Sequence, residues 1–207
     1  MRLAAIAVLG RLSRMRRPVL TTGDAALHLG LSSSAASRAL SRLAGSGLVL
    51  PLRHGLWSLD LEIDPLRLPE HLTAPFPAYV SLQTALQLHG MIRQLPRVIC
   101  VVSLAPTRRI RTRMAEYSVH RLAPAFFGGF VTTPGGVRLA SPEKALLDVL
   151  YLAPARSRLF AALPEVEIPR QFDRAAARRW VSRIRPGPRR DAVRRRLEKL
   201  LSRPRAR

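Results

Sequence analysis

The 207-residue sequence predicts an α+β protein, with an N-terminal winged helix-turn-helix domain followed by a mixed α/β C-terminal domain with terminal basic helices. Three observations predict it. Two short helical patterns meet at a glycine turn within residues 21–48; two apolar runs flank a polar turn in residues 45–59; and two arginine-rich amphipathic segments fill the last 38 residues.

The opening helix, from about Leu3 to Leu12, sets Leu3, Ile6, Leu9 and Leu12 toward the helix pair after it. Its apolar start imitates a secretory leader, but Arg11, Arg14, Arg16 and Arg17 stand where a small-residue cleavage site belongs, which favours a helix of the folded domain. Thr21 or Thr22 then caps a helix through Leu29, Gly30 ends it, and Leu31 is an apolar plug between the helices. Ser32 or Ser33 caps a second helix to about Ala44, with Ala36, Leu40 and Leu43 inward. Ser34, Ser37, Arg38, Ser41 and Arg42 occupy the other face, where small hydroxyls allow entry into a major groove and arginines reach bases or phosphates. A plain helical hairpin with a solvated face has the same pattern, but the segment C-terminal to it favours DNA. Gly45 to Leu59 reads as a β-hairpin with Arg53 and His54 at its tip and Trp57 in the core, the wing of a winged helix. The expected DNA-contacting set is therefore Ser33, Ser34, Ser37, Arg38, Ser41, Arg42, Arg53 and His54, with Arg16 and Arg17, on a domain of residues 1–62.

A proline-rich linker is expected over 63–78 and an α+β regulatory domain over 79–207. In that domain Ser81 caps a helix through His89, and strands are expected near 97–103 and 117–122 with a hairpin over 131–139. Ser141-Pro142-Glu143 starts a helix to about Leu152 that buries Leu146, Leu147, Val149 and Leu150. On that helix Lys144 and Asp148 read as an i,i+4 supporting pair. Arg108, Arg109, Arg111 and Arg113 fall between strands, as a solvated loop or as a contact with nucleic acid or an acidic partner. In the tail, Ala176, Trp180 and Ile184 share one helical face while Arg174, Arg178, Arg179, Arg183 and Arg185 point away. Pro186-Gly187-Pro188 breaks the chain, Val193, Leu197, Leu200 and Leu201 repeat the stripe, and residues 202–207 fray. The candidate partner surface is Arg108, Arg109, Arg111, Arg113, Arg178, Arg179 and Arg183.

Charge supports a polyanionic or acidic partner: the formal net charge is +22, and residues 170–207 carry 15 basic against 3 acidic residues. Of 35 basic residues only Lys144 and Lys199 are lysine. Cys100, the single cysteine, sits in an apolar run as a small core residue, which leaves no disulfide and fits the cytoplasm. No apolar run reaches the roughly 18 residues of a membrane span. Walker loop, dinucleotide-binding turn, metal-spaced Cys/His set and nucleophile elbow are all missing from the sequence, so no enzyme, cofactor or metal is expected. His89 reads as a cation at a helix end. Glu165 and Glu167 alternate as a metal-dependent nuclease's carboxylates do, with Asp173 as a third candidate, but Pro169 and Arg170 stand where a companion lysine would be, which leaves a nuclease as the lesser alternative.

Tyr79–Gly90, Gln94–Ser103 and Val137–Leu150, with its Ser-Pro-Glu-Lys-Ala-Leu-Leu-Asp run, resemble the AbiEi-type antitoxins of type IV toxin–antitoxin systems. The resemblance covers most of residues 15–155. It implies an N-terminal domain that binds operator DNA and represses its own operon, and a C-terminal domain that counters a nucleotidyltransferase-like toxin. A protein-neutralising module with only charge-driven DNA binding is the alternative. Oligomeric state stays open, a monomer on repeated sites being compatible.

Overall fold

The computed structural model describes residues 2–153 and 165–202, with side chains from residue 5 onward. The side chain of Leu3 and the end expected to fray beyond Ser202 lie outside the described residues. The chain forms two compact units, residues 1–65 with 111–115, and residues 66–110 with 116–207.

In the first unit the elements run α1 (Arg2–Ser13), β1 (Val19–Thr21), α2 (Thr22–Leu29), α3 (Ser33–Gly45), β2 (Leu50–Arg53) and β3 (Leu56–Ser58). The strands form an antiparallel sheet of order β1-β3-β2, in which Trp57 faces Leu20 on one side and Pro51 on the other. Leu12, Leu20, Ala25, Leu29, Ala36, Leu40, Leu43 and Val49 share the core. Leu31 is no plug: it is 42% exposed. Gly30 adopts the left-handed conformation (φ 68°) and the Leu31 amide turns back to the Ala26 carbonyl at 2.9 Å, a helix stop that leaves the gap to Leu29 and Ala36.

The second unit begins inside the expected linker. A 3-10 turn spans Pro65–Arg67 and α4 spans Pro69–Thr73, with Leu68 and Leu72 buried. Proline suits this place because its missing N–H costs nothing in a helix's first turn. The chain continues through β4 (Ala78–Val80), α5 (Leu82–Leu88), β5 (Ile99–Ser103), β6 (Arg108–Arg111), β7 (Glu116–Arg121), β8 (Phe130–Thr132), β9 (Arg138–Ala140), α6 (Pro142–Leu152), α7 (Arg174–Ser182) and α8 (Pro188–Leu201). The sheet order is β6-β7-β5-β4-β9-β8, with β5–β7 and β4–β9 parallel, and β4–β5 and β8–β9 antiparallel. The arginine run expected as a loop is largely the edge strand β6: strand alternation buries Ile110 and turns Arg109 and Arg111 to the other face, and Arg108, on the Ile110 side, is exposed at the strand's start.

Helix α6 is the hub. Ser141 caps it through the Lys144 amide at 3.2 Å, and every residue from Glu143 to Tyr151 is buried, with α5, α7 and α8 packed against it. Lys144 and Asp148 are therefore not a solvated pair; both side chains are 0% exposed and in contact with each other. Lys144 Nζ also donates to Tyr79 Oη at 3.0 Å, and Asp148 accepts from Tyr79 Oη at 3.0 Å and from Ser81 Oγ at 2.7 Å. Ser81 thus spends its hydroxyl across the core, not as a cap on α5. The ammonium lies 4.1 Å from the Phe126 ring centre and 5.2 Å from that of Trp180. Gly129 (φ 72°) makes room for this packing, since a Cβ there would lie 2.8 Å from Trp180 and 2.9 Å from Lys144 Cγ. Burial pushes Lys144 below and Asp148 above their ordinary values, each opposed by the partner's charge.

Trp180 approaches this cluster from α7, whose buried residues are Ala177 and Val181, continued by Ile184. The expected face through Ala176, Trp180 and Ile184 is rotated, so that Ala176 and Trp180 lie at the edge, half-buried. On α8 Val193, Leu197 and Leu201 are buried as the stripe implies.

Removing one partner from a buried ion pair strands the other. Asp148→Ala should therefore cost about 3–5 kcal/mol, read from urea unfolding midpoints. A loss below about 1 kcal/mol would show that Lys144 finds its stabilisation elsewhere.

Candidate nucleic-acid interface

Sequence chemistry builds the α2–α3 pair from its ends. Thr21 Oγ1 accepts the Asp24 amide at 3.0 Å while Asp24 accepts the Thr21 amide at 2.8 Å, a reciprocal capping box. These bonds from Thr21 hold the Asp24 carboxyl below the usual carboxylate range. Ser32 caps α3 through the Ala35 amide at 3.2 Å. Ala36, Ala39, Leu40 and Leu43 then form the buried side of α3. Ser33, Ser34, Arg38, Ser41 and Arg42 are exposed together, and Ser37 is half-buried at the margin. The side chains of Arg38 and Arg42 make no hydrogen bond or ion pair among the described residues.

The β2–β3 hairpin is fastened to the start of α2. Thr22 donates its amide to the Gly55 carbonyl at 3.0 Å, and Trp57 Nε1 donates to Thr22 Oγ1 at 3.0 Å. Arg53 and His54 are exposed at the turn, where the strand register is broken between Pro51 and Arg53. That Trp57–Thr22 bond was not legible in the sequence, because it joins residues 35 positions apart.

The N-terminal basic cluster divides. Arg11 donates to the Leu29 and His28 carbonyls at 3.2 and 3.4 Å, satisfying the C-terminal end of α2, and His28 Nε2 approaches the Arg11 carbonyl at 2.9 Å. Arg14, Arg16 and Arg17 are exposed between α1 and β1.

The second predicted surface is not one array of free cations. Arg108 donates to the Leu72 carbonyl at 3.2 Å, and Arg109 pairs with Glu116 at 3.0 Å. Arg113, in the first unit, donates its amide to the Leu52 carbonyl at 3.1 Å. On α7, Arg178 is bidentate to Glu198 at 2.9 and 3.0 Å, Arg179 meets Asp173 at 3.5 Å, and Arg183 stacks on Trp180 at 4.2 Å. The three carboxylates weighed for nuclease chemistry are dispersed in role: Glu165 is exposed, Glu167 pairs with Arg93 at 3.0 Å, and Asp173 caps α7 through the Ala176 amide at 2.8 Å. His89 is tied to the Ala140 carbonyl at 2.7 Å. Cys100 is buried, and burial pushes its thiol up.

Residues 9–59, from α1 to the end of the hairpin, match the model of a family of transcriptional regulators. The family is that of the AbiEi antitoxins. The AbiEi match thus falls on the helix–hairpin unit, and the Tyr79–Gly90, Gln94–Ser103 and Val137–Leu150 segments lie outside it. No curated protein matches the chain. Among the described residues, no helix is long and apolar enough to cross a membrane.

One group beside the β6 arginines is poised to titrate. His120 on β7 is buried, its Nε2 2.9 Å from Ser118 Oγ, and burial reinforced by the Arg109 charge pushes it down to about 4. The unfolded chain, with an ordinary histidine near 6.5, then binds the proton first on acidification. Stability present above about pH 6.5 is lost as pH falls toward 4, by about 3 kcal/mol from this residue. Urea midpoints at pH 7 and 4.5 should differ less in His120→Gln than in the parent; equal differences would show a solvated imidazole.

Proposed function

We propose that this protein is a winged helix-turn-helix antitoxin that binds operator DNA sequence-specifically, represses its own operon and counters a nucleotidyltransferase-like toxin. The observation that carries the reading is α3: a helix whose exposed side is small hydroxyls with two uncommitted arginines. The AbiEi regulator match over the same residues supports it, as does the adjoining hairpin with Arg53 and His54 at its turn. In this reading Ser33, Ser34, Ser37 and Ser41 line the groove-facing side, Arg38 and Arg42 read base edges, and Arg53, His54, Arg16 and Arg17 hold phosphates. Arg14 joins the phosphate contacts, whereas Arg11 is a structural residue that caps α2.

The toxin-facing role belongs to the second unit. In this reading the arginines of α7–α8 and of β6 present cations to an acidic partner from two places, with Arg178, Arg179 and Arg109 held by their own carboxylates. A protein-neutralising module whose DNA binding is only charge-driven rests on those same arginines.

Binding to the DNA upstream of the protein's own gene, measured by fluorescence anisotropy, separates the two. Arg38→Ala or Arg42→Ala should cost about 1–3 kcal/mol on the specific site and relax its sequence preference. Arg53→Ala, Arg16→Ala and Arg17→Ala should weaken all sequences alike and flatten the salt slope by about 0.9 per lost contact. Equal losses on specific and random DNA for Arg38 and Arg42 would favour the charge-driven reading.

A further inference from the structure

Where α7 gives way to α8, the second unit holds a cleft of about 370 Å³. Its apolar wall includes Phe126, Tyr151 and Ile184; its charged groups are Arg183, Arg185 and Arg189, and no acidic residue lines it. Two of these arginines are held in place by aromatic faces. The guanidinium of Arg183 lies 4.2 Å from the Trp180 ring centre, and that of Arg189 lies 4.9 Å from the Tyr151 ring centre and donates to Tyr151 Oη at 3.3 Å. A stacked guanidinium keeps its in-plane N–H groups available for a ligand and loses little freedom on binding one.

The chain supplies no counter-ion to this cleft among the described residues. All three carboxylates of residues 170–207 are engaged elsewhere: Asp173 with the α7 cap and Arg179, Asp191 with Arg194 at 3.0 Å, and Glu198 with Arg178. No acidic residue occurs in sequence between Asp148 and Glu165. Three guanidiniums without internal carboxylates suit a multiply charged anion, and bidentate N–H pairs fit phosphate oxygens. The concavity and volume fall at the lower end of the range for small-molecule sites, about 300–1,000 Å³. The apolar wall gives an uncharged portion of the ligand a place to rest.

We propose that this cleft binds a small phosphorylated molecule of nucleotide size, its phosphates on Arg183, Arg185 and Arg189 and its apolar part against the exposed lining at Ala125, Pro186 and Pro188. This site is separate from α3 and does not rest on the DNA-binding reading.

The test is calorimetric titration of the full chain with ATP, GTP, inorganic phosphate and unphosphorylated adenosine at about 150 mM salt, where exposed charges are largely screened. A nucleoside triphosphate should bind at least tenfold more tightly than inorganic phosphate, with adenosine showing no heat. The double variant R183Q/R189Q should weaken triphosphate binding at least tenfold, while R195Q/R196Q, which removes the same charge from exposed α8 positions, should change it less than twofold. Arg185 makes no hydrogen bond or ion pair among the described residues, so Arg185→Gln tests the cleft without disturbing packing and should weaken binding about threefold. Equal losses in the cleft and control variants would reduce the effect to net charge and overturn the proposal. So would triphosphate binding no tighter than phosphate, or binding abolished by R38A/R42A. Failure of all phosphorylated probes, with an oligoglutamate peptide binding in an Arg183-dependent manner, would overturn it too and assign the cleft to an acidic protein segment.

Discussion

The second unit depends on a charge that has nowhere to go. Lys144 is buried on α6, and its ammonium is acceptable there only because Asp148, the Tyr79 hydroxyl and the Phe126 and Trp180 faces surround it. Each partner outside α6 comes from a different element. Tyr79 belongs to β4, Ser81 precedes α5 and reaches the same carboxylate, Phe126 comes after β7, and Trp180 belongs to α7. Satisfying one lysine therefore sets the placement of the sheet, two helices and the 3-10 turn Pro124–Phe126 about α6. Gly129 is part of the same constraint, because a side chain there would meet both Trp180 and Lys144. In a chain with 33 arginines and two lysines, lysine at this position has a physical reason: its compact ammonium fits one carboxylate and one hydroxyl, whereas a guanidinium would bring five donors into the core.

The first unit relies on short polar bonds at the ends of its elements. Thr21 and Asp24 close the start of α2, Arg11 closes its end, and Thr22 holds both the hairpin turn and Trp57. These groups are spent on the scaffold. What they leave uncommitted is one side of α3 and the turn at Arg53–His54, so the separation between structural and available polar groups is sharp within about 60 residues.

The arginine surplus divides in the same way. Several cations are neutralised locally, as at Arg109–Glu116, Arg178–Glu198 and Arg194–Asp191, which limits self-repulsion while holding those side chains in fixed positions. Others stack on aromatic rings, Arg183 with its hydrogen-bonding edge open and Arg189 with one N–H on the Tyr151 hydroxyl. A count of charges treats these groups as equivalent, although their availability to a partner differs.

The sequence by itself determined the elements whose signals are local. The Gly30 stop, a serine cap at Ser32 or Ser33, the Ser141 cap, the α3 stripe of Ala36, Leu40 and Leu43, the hairpin turn at His54–Gly55 and the Pro186–Pro188 break all rest on neighbours within one or two helical turns. What only the tertiary structure decided were choices between equally periodic options. A lysine and an aspartate four positions apart look alike on a wet face and in a core, and Leu31 looks like a plug until Leu29 and Ala36 fill the space. The rotation of α7 toward Ala177 and Val181, the edge strand in place of an arginine loop, and the helix within the proline-rich stretch were decided in the same way. Local pattern limits which groups can be buried together; packing against residues far away in sequence selects which of them are, because desolvation is settled only when the covering partner arrives.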